Sequence, residues 1–204
     1  MSEEDRITVV AARFEPVVAR GLAGVLRDDR RLRVVADGVD GNELVREVAR
    51  LAPRVVILDE SYYRSLGVCL RSVQPPIGIV VLKREPTLPY GMVLLAAGVT
   101  CLAWSASAGD LLAAVHFTAK DGCVFVSEDH KRVERSDWRN APRLLTQRES
   151  QVLKRISAGE SAGKIALHLS ISAATVRKHT ASLLRKLGAL SKQDLIGLPV
   201  AGLQ

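Results

Sequence analysis

Hydrophobic positions in the first part of the chain follow two alternating patterns. Short runs of β-branched and aliphatic residues, such as ITVVAA (7–12) and RVVILD (54–59), predict strands, whereas segments with apolar residues three or four positions apart predict helices. The segment 17–29, for example, places Leu22 and Leu26 on one helical face. Five such strand and helix units follow one another.

The strands predicted at 54–59 and 77–83 are apolar at nearly every position. This is typical of strands that are buried on both faces of a parallel sheet. Strands and helices that alternate with short connections indicate a doubly wound α/β domain with a five-stranded parallel sheet, which we predict over residues 1–126. The charged stretch 127–143 has no sustained apolar stripe and is interpreted as a linker.

After the linker the helical period returns, together with signals for helix ends. Thr146 and Glu149 have the spacing of a capping box, and Ser172 can cap a later helix. Gly188 suits the left-handed residue that often ends a helix. We therefore predict an all-α helix-turn-helix domain over residues 144–204.

The third helix of this domain, predicted at 173–187, has two unlike faces. Its inward stripe consists of Val176, Thr180, Leu183, Leu184 and Leu187. The opposite face carries cations between small residues, namely Ala174, Arg177, Lys178, Ala181 and Arg185. Such a helix fits the major groove of duplex DNA, where Arg and Lys donate hydrogen bonds to guanine O6 and N7.

Charge is unevenly distributed along the chain. Of 29 Lys and Arg and 22 Asp and Glu, 15 of each lie in residues 1–126, which leaves 14 basic and 7 acidic residues in 127–204. The whole formal net charge of +7 therefore belongs to the C-terminal part. A basic segment of this kind is expected to bind a polyanion, and double-stranded DNA is the partner that the third helix fits.

Other classes of protein are disfavoured by the same sequence. No apolar run approaches the about 18 residues of a membrane span, and the acidic N-terminus has the wrong order of charge for a secretory signal. We expect a cytoplasmic protein that does not bind membranes. Cys69, Cys101 and Cys123 are odd in number and far apart, so we expect buried reduced thiols, no metal site and no cofactor.

LTQRESQVL (145–153) and IALHLSISAATVRKHTASLLRKLG (165–188) together resemble the DNA-binding domain of the NarL/LuxR group of bacterial regulators. The resemblance covers residues 144 to about 192. It implies a phosphate contact at Thr175, groove-facing side chains at Arg177 and Lys178, and fewer polar contacts where Ala181 stands. The resulting set of expected DNA-binding residues is Lys164, Ser172, Thr175, Arg177, Lys178, Ala181 and Arg185.

Two features depart from this resemblance. Lys164 stands where the family usually has Glu, so an internal polar contact of the family is missing or is replaced by a phosphate contact. The last helix of the family usually serves dimerisation, and Gly197 and Pro199 shorten it here.

The α/β half, from residue 6 to about 126, is similar to the receiver domains that commonly precede such DNA-binding domains. A receiver accepts a phosphoryl group on an Asp at the end of its third strand, and Asp59 occupies that position. The groups that assist this reaction in receivers are replaced. Arg13 and Phe14 stand in place of the acidic pair that holds Mg²⁺, Lys83 in place of a Ser or Thr, and Ser105 in place of a Lys.

Phosphoryl transfer to a carboxylate needs a hard cation with oxygen ligands, and one aspartate does not assemble that site. We therefore expect Asp59 to be a vestigial phosphoacceptor that is paired with Arg13 or Lys83, which would make the domain mainly a dimerisation module. The alternative is that Tyr62, Tyr63 and Trp104 border a pocket for a small-molecule effector.

These observations indicate a transcription regulator that binds promoter DNA, as a homodimer, and that is not an enzyme. The competing hypothesis is a protein-interaction module, an anti-activator that sequesters a related regulator without binding DNA itself. A shift assay on upstream DNA across a salt series separates the two hypotheses, because phosphate neutralisation makes DNA binding steeply salt-dependent.

Overall fold

A computed structural model describes residues 6–128, 132–134, 145–198 and 200 of the 204-residue chain. Its strands are β1 (Ile7–Ala12), β2 (Leu32–Val39), β3 (Val55–Asp59), β4 (Gly78–Lys83), β5 (Thr100–Ala103), β6 (Val124–Val126) and β7 (Arg132–Glu134). Its α-helices are α1 (Pro16–Asp28), α2 (Gly41–Leu51), α3 (Glu60–Arg71), α4 (Leu88–Ala96), α5 (Ala108–Thr118), α6 (Gln147–Ser157), α7 (Ala162–Leu169) and α8 (Ala173–Leu187). A 3-10 helix, Lys192–Leu195, follows α8.

All the strands form one sheet with the order β2-β1-β3-β4-β5-β6-β7. The five predicted parallel strands are present in the expected places, which confirms the doubly wound domain. The sheet is two strands wider than predicted, because β6 adds in parallel to β5 and β7 turns back antiparallel to β6. Strand β7 lies within the stretch 127–143 that was interpreted as a linker. Its three residues, Arg-Val-Glu, are too few and too polar to show a strand pattern.

Helices cover both faces of the sheet. Alternate residues of the central strands point to opposite sides, so that Val10, Val56 and Val81 join one core cluster while Val9 and Val55 join the other. Helices α2, α3 and α4 pack on the first side, and α1 and α5 pack on the second. The carboxyl ends of β1, β3, β4 and β5 therefore share one edge of the sheet, which is the edge where a receiver domain has its phosphoacceptor aspartate.

The thiols are not all buried as expected. Cys101 and Cys123 lie in the core, but Cys69 is exposed on α3. Burial raises the pKa of the Cys101 thiol well above its usual value. No helix in the described part of the chain combines the length and apolar character needed to cross a membrane.

The C-terminal helices begin and end where the sequence predicts. Both hydrogen bonds of the capping box between Thr146 and Glu149 are formed at the start of α6. The Ser172 hydroxyl accepts from the Thr175 N–H at the start of α8, and Gly188 ends that helix with φ of +60°. Because residues with a Cβ are disfavoured at such a φ, glycine at this position fixes the end of the helix. The last helix is shortened, as expected, to four 3-10 residues.

Candidate nucleic-acid interface and altered receiver pocket

Helix α8 separates a buried stripe from a cationic face. Val176, Leu183 and Leu187 are at most 1% exposed and pack against α6 and α7. The residues of the opposite face are all exposed, namely Ala174, Arg177, Lys178, Ala181 and Arg185. The two cations predicted to enter the major groove therefore point away from the interior of the protein.

The first turn of α8 is ordered by side-chain hydrogen bonds. The Ser172 Oγ accepts from the Thr175 N–H at 3.0 Å and lies 2.8 Å from the Thr175 Oγ1. The first N–H groups of a helix have no partner within the helix, and together with the helix dipole they favour an anion. This end of α8 therefore suits a phosphate of the DNA backbone, as expected for Ser172 and Thr175.

A buried carboxylate fixes α8 against α6. Glu149 is 4% exposed and accepts from the Lys186 ammonium at 2.7 Å and from the Ser182 hydroxyl at 2.7 Å. As the carboxylate of the capping box, it also accepts from the Thr146 N–H. Burial by itself would raise the pKa of Glu149, but the bonds from Lys186, Thr146 and Ser182 outweigh it and lower the pKa to about 2. The rotation of α8, and hence the direction of its cations, depends on this network.

A second polar cluster joins α6 to α7. The Glu160 carboxylate binds the Arg155 guanidinium at 2.8 Å and the His168 Nδ1 at 3.0 Å. The hydrogen bond with His168, followed by that with Arg155, lowers the pKa of Glu160. Lys192 donates to the backbone carbonyl of Glu160 at 2.6 Å. This cluster provides an internal polar contact in a domain where Lys164 replaces the usual Glu, and the Lys164 side chain itself is exposed.

The altered receiver pocket contains two ion pairs, and neither includes Asp59. Lys83 Nζ lies 2.5 Å from Glu60 Oε2 and 4.9 Å from the centroid of the Tyr90 ring. Arg13 Nη1 lies 2.9 Å from Asp40 Oδ2. These contacts occupy the two cations that were expected to pair with the aspartate.

Asp59 instead caps α3. Its Oδ1 accepts from the Tyr62 N–H at 2.9 Å and from the Ser61 hydroxyl at 2.7 Å. The prediction that Asp59 pairs with Arg13 or Lys83 is therefore wrong. The physical reason is that a partly exposed carboxylate with two hydrogen bonds does not need a cation as its partner.

The remaining replaced positions do not rebuild a cation site. Phe14 is 8% exposed and packs in the core between the sheet and α1, while Ser105 is exposed after β5. Within the residues that the structure describes, no group of three or more His, Cys, Asp and Glu side chains is arranged to hold a metal ion.

The three aromatic residues expected to border one ligand pocket are not together. Tyr63 is 1% exposed in the core beneath α3, and Trp104 packs on the opposite face of the sheet. The Tyr62 hydroxyl donates to Asp40 Oδ1 at 2.9 Å. The hydrogen bond from the Gly41 N–H, followed by the one from Tyr62, lowers the pKa of Asp40. Trp104 lines a different cleft, of about 290 Å³, between α1 and α5.

Sequence reasoning missed the long-range partners of the site. Lys186 and Ser182, which hold Glu149, were not singled out, and neither was Glu60. The one available signal was Glu149 itself, which the capping box places at the start of α6.

Comparison with known proteins gives a consistent result for both halves. Residues 143–198 match the family described as bacterial regulatory proteins, luxR family. The chain is 31% identical over 191 residues to the transcriptional regulatory protein UhpA of Salmonella typhimurium, covering 93% of this chain and 95% of that protein. It is 29% identical over 195 residues to a nitrate/nitrite response regulator protein homolog of Haemophilus influenzae, covering 93% and 94% of the two chains.

Among solved structures, the fold is similar to that of RcsB from Salmonella enterica serovar Typhimurium bound to a promoter. The TM-score is 0.57 at 22% sequence identity, and the match covers 96% of this chain and 98% of that one. A second RcsB structure, of two dimers bound to two parallel DNAs, has a TM-score of 0.53. At this level of identity, the likeness establishes the arrangement of a receiver-like α/β domain followed by a helix-turn-helix domain.

Proposed function

The chain belongs to the NarL/UhpA-type response regulators with a LuxR-family helix-turn-helix domain, so it is a DNA-binding transcription regulator, and we propose that α8 reads the major groove with Arg177 and Lys178. The observation that carries this proposal is the exposure of both cations on a helix whose other face is locked into the domain core. Lys164, Ser172, Thr175 and Arg185 lie on exposed or partly exposed positions from which they contact phosphates.

A gel-shift titration with duplex DNA from upstream of the gene, at several salt concentrations, tests this proposal. The apparent affinity should fall steeply with salt, because each neutralised phosphate releases counterions. The double variant Arg177→Ala/Lys178→Ala should lose the specific shift, since each bidentate base contact contributes about 1–3 kcal/mol.

The matched control removes one Arg and one Lys elsewhere. Arg30 and Lys120 are exposed in the α/β domain, so Arg30→Ala/Lys120→Ala changes the net charge equally and should leave the specific shift in place. Equal loss in both double variants would contradict the groove contact. A wild-type protein that binds a related regulator but no DNA would favour the anti-activator.

We also propose that Asp59 is not a working phosphoacceptor. Arg13 places positive charge where a receiver needs a cation ligand, Lys83 replaces the Ser or Thr of a receiver, and Asp59 is engaged as a helix cap. Incubation with acetyl phosphate and Mg²⁺, followed by intact-mass spectrometry, should show no stoichiometric addition. A hydroxylamine-labile phosphoryl group on Asp59 would refute the proposal.

We further propose that the chain acts as a homodimer. RcsB has been solved as dimers bound to DNA, and the cleft between α1 and α5 leaves apolar side chains of this chain uncovered. The cleft is lined by the partly exposed Val18, Val25 and Leu111 among others, and Val17 on α1 is 84% exposed. A second copy placed against α1 and α5 would cover this surface.

Light scattering with two variants tests the dimer. Val17→Glu should shift the mass toward the monomer, because the charge would be buried at the interface. Val68→Glu, at a 59% exposed position on α3, should leave the dimer intact. Loss of the dimer in both variants, or a wild-type monomer at all concentrations, would overturn this interface.

A small-molecule effector is a second candidate for the same cleft. The Trp104 Nε1 is buried and has no hydrogen-bond partner among the described residues, which is unusual for an indole. Thermal-shift screening with a metabolite library tests this candidate. Stabilisation that Trp104→Phe abolishes would support it, and the absence of any stabilising compound would leave the dimer as the preferred occupant.

A further inference from the structure

Helix α4 has no polar face, unlike most helices on the surface of an α/β domain. The six consecutive residues 90–95 are all buried. A helix that is apolar all round is buried on all sides. One side of α4 packs on the sheet so closely that a Cβ on Gly91 would lie 2.3 Å from the Phe125 ring. The other side contacts α8 of the C-terminal domain, and residues of the two domains form one continuous core cluster.

The α/β domain also completes the hydrogen bonding of α8. The last four carbonyl groups of a helix have no partner within the helix. The Leu184 carbonyl accepts from residues just after α8, whereas the Lys186 carbonyl accepts from the Thr87 hydroxyl at 2.8 Å. The same hydroxyl accepts from the Tyr90 N–H and so caps α4. One side chain thus joins the start of α4 to the end of α8.

A second contact lies at the 3-10 helix. Arg64 on α3 forms an ion pair with Asp194, and both side chains are less than a third exposed. Asp194 also accepts from the Leu190 and Ser191 N–H groups. Burial would raise the pKa of Asp194, but these backbone donors and the Arg64 guanidinium outweigh it and lower the pKa.

Gly197 shows how closely the two domains approach at this contact. Its φ is +77°, and a Cβ built there would lie 2.9 Å from the Arg64 carbonyl oxygen. Because only glycine fits both the backbone conformation and the space, the residue that shortens the last helix also lets the segment 192–198 reach α3. This is the segment that usually serves dimerisation in the family.

The cationic face of α8 remains open while these contacts are made. Arg177, Lys178 and Arg185 are exposed, as are Lys164 and Ser172. The interface involves the end of α8 and the segment after it. The side chains proposed to contact DNA are therefore accessible to solvent while the domains are docked.

We propose that α3 and α4, with Arg64 and Thr87, form an internal docking surface whose partner is the C-terminal domain of the same chain. The domains stay docked when DNA binds, and the segment 192–198 is occupied within the protomer instead of pairing two C-terminal domains. The docking itself does not depend on the proposed function; only its persistence on DNA does.

A double-mutant cycle tests the docking contact in the full chain. Arg64→Ala should lower the unfolding temperature by about 3 °C. Adding Asp194→Asn, which keeps an acceptor for the backbone N–H groups, to the Arg64→Ala variant should lower it little further. The control combines Asp194→Asn with Arg71→Ala, because Arg71 lies on the same helix and donates to the Gly67 carbonyl of that helix. The control effects should be additive. Additive effects of Arg64→Ala and Asp194→Asn would overturn the contact.

Pulsed electron paramagnetic resonance tests whether docking persists on DNA. One spin label is placed on the exposed Cys69 and another on Leu190→Cys, at a 96% exposed position, while Cys101 and Cys123 are buried. Dilution with excess unlabelled protein removes distances between protomers. The labels should give one narrow distance that duplex DNA at low salt leaves unchanged, and that Arg64→Ala but not Arg71→Ala broadens.

Two outcomes contradict the proposal in different ways. A broad distance in the free protein would show that the domains are not docked. A distance that changes when DNA is added would show that docking and DNA binding compete. A gel shift on the same labelled sample reports DNA binding separately, so its failure would count against the proposed function and not against docking.

Discussion

The C-terminal domain and the carboxyl edge of the parallel sheet differ in how their polar side chains are used. In the C-terminal domain, the apolar stripe of α8 and the outward cations Arg177 and Lys178 are both present. At the sheet edge the parallel strands are present in the order β2-β1-β3-β4-β5, and Arg13 and Lys83 form ion pairs with Asp40 and Glu60. A fold depends on where apolar residues lie, whereas a reaction depends on a few polar atoms.

One carboxylate in each region illustrates this difference in how polar side chains are used. Glu149 is buried and holds Lys186 and Ser182, while Asp59 is partly exposed and only caps α3. Removing the charge from each one should therefore have very different consequences.

The largest effect is expected for Glu149→Gln. The variant removes the ion pair between Glu149 and Lys186, and we expect a loss of about 2–3 kcal/mol in the free energy of unfolding, measured with urea at pH 7. The pKa of Glu149 is lowered to about 2, from 4.5. The wild-type contribution is therefore present above pH 4.5 and is lost as the pH falls toward 2. Glu149→Gln should remove that part of the acid dependence, and an unchanged pH profile would contradict the network.

A smaller effect is expected for Lys83→Met at the sheet edge. Glu60 would lose its partner, but its side chain is 22% exposed and water can replace part of the ion pair. We expect a loss of about 1 kcal/mol. The double variant Lys83→Met/Glu60→Gln should recover most of it, because no unpaired charge remains. If the double variant were as unstable as the sum of the single variants, the ion pair would not be the cause.

The smallest effect is expected for Asp59→Asn. Asn and Asp are about equally good helix caps, so the free energy of unfolding should change by no more than about 0.5 kcal/mol. A loss as large as that of Glu149→Gln would show that Asp59 has a partner that the structure does not provide.

Local signals explain how much of the molecule was predictable. The ends of α8 follow from Ser172 and Gly188, and the strands from short apolar runs, so that the five-stranded core and the helix-turn-helix followed from the sequence. The outward direction of Arg177 and Lys178 followed from the helical period alone.

What could not be predicted depends on contacts between distant parts of the chain. Lys83 forms its ion pair with Glu60 and not with the neighbouring Asp59, because of where its side chain extends from the end of β4. A sequence pattern does not distinguish between two adjacent carboxylates. The separation of Tyr63 from Trp104 depends on which face of the sheet each occupies. Strand β7 pairs only because β6 offers it an edge.

DNA binding that is independent of Asp59 phosphorylation is tested most directly by measuring three affinities for DNA at one salt concentration. The samples are the untreated protein, the protein treated with acetyl phosphate and Mg²⁺, and the Asp59→Asn variant. We expect the untreated protein to bind specifically and the three dissociation constants to agree within about twofold, a difference of about 0.4 kcal/mol. Binding that appears only after acetyl phosphate treatment, or that Asp59→Asn abolishes, would show that Asp59 is a working phosphoacceptor.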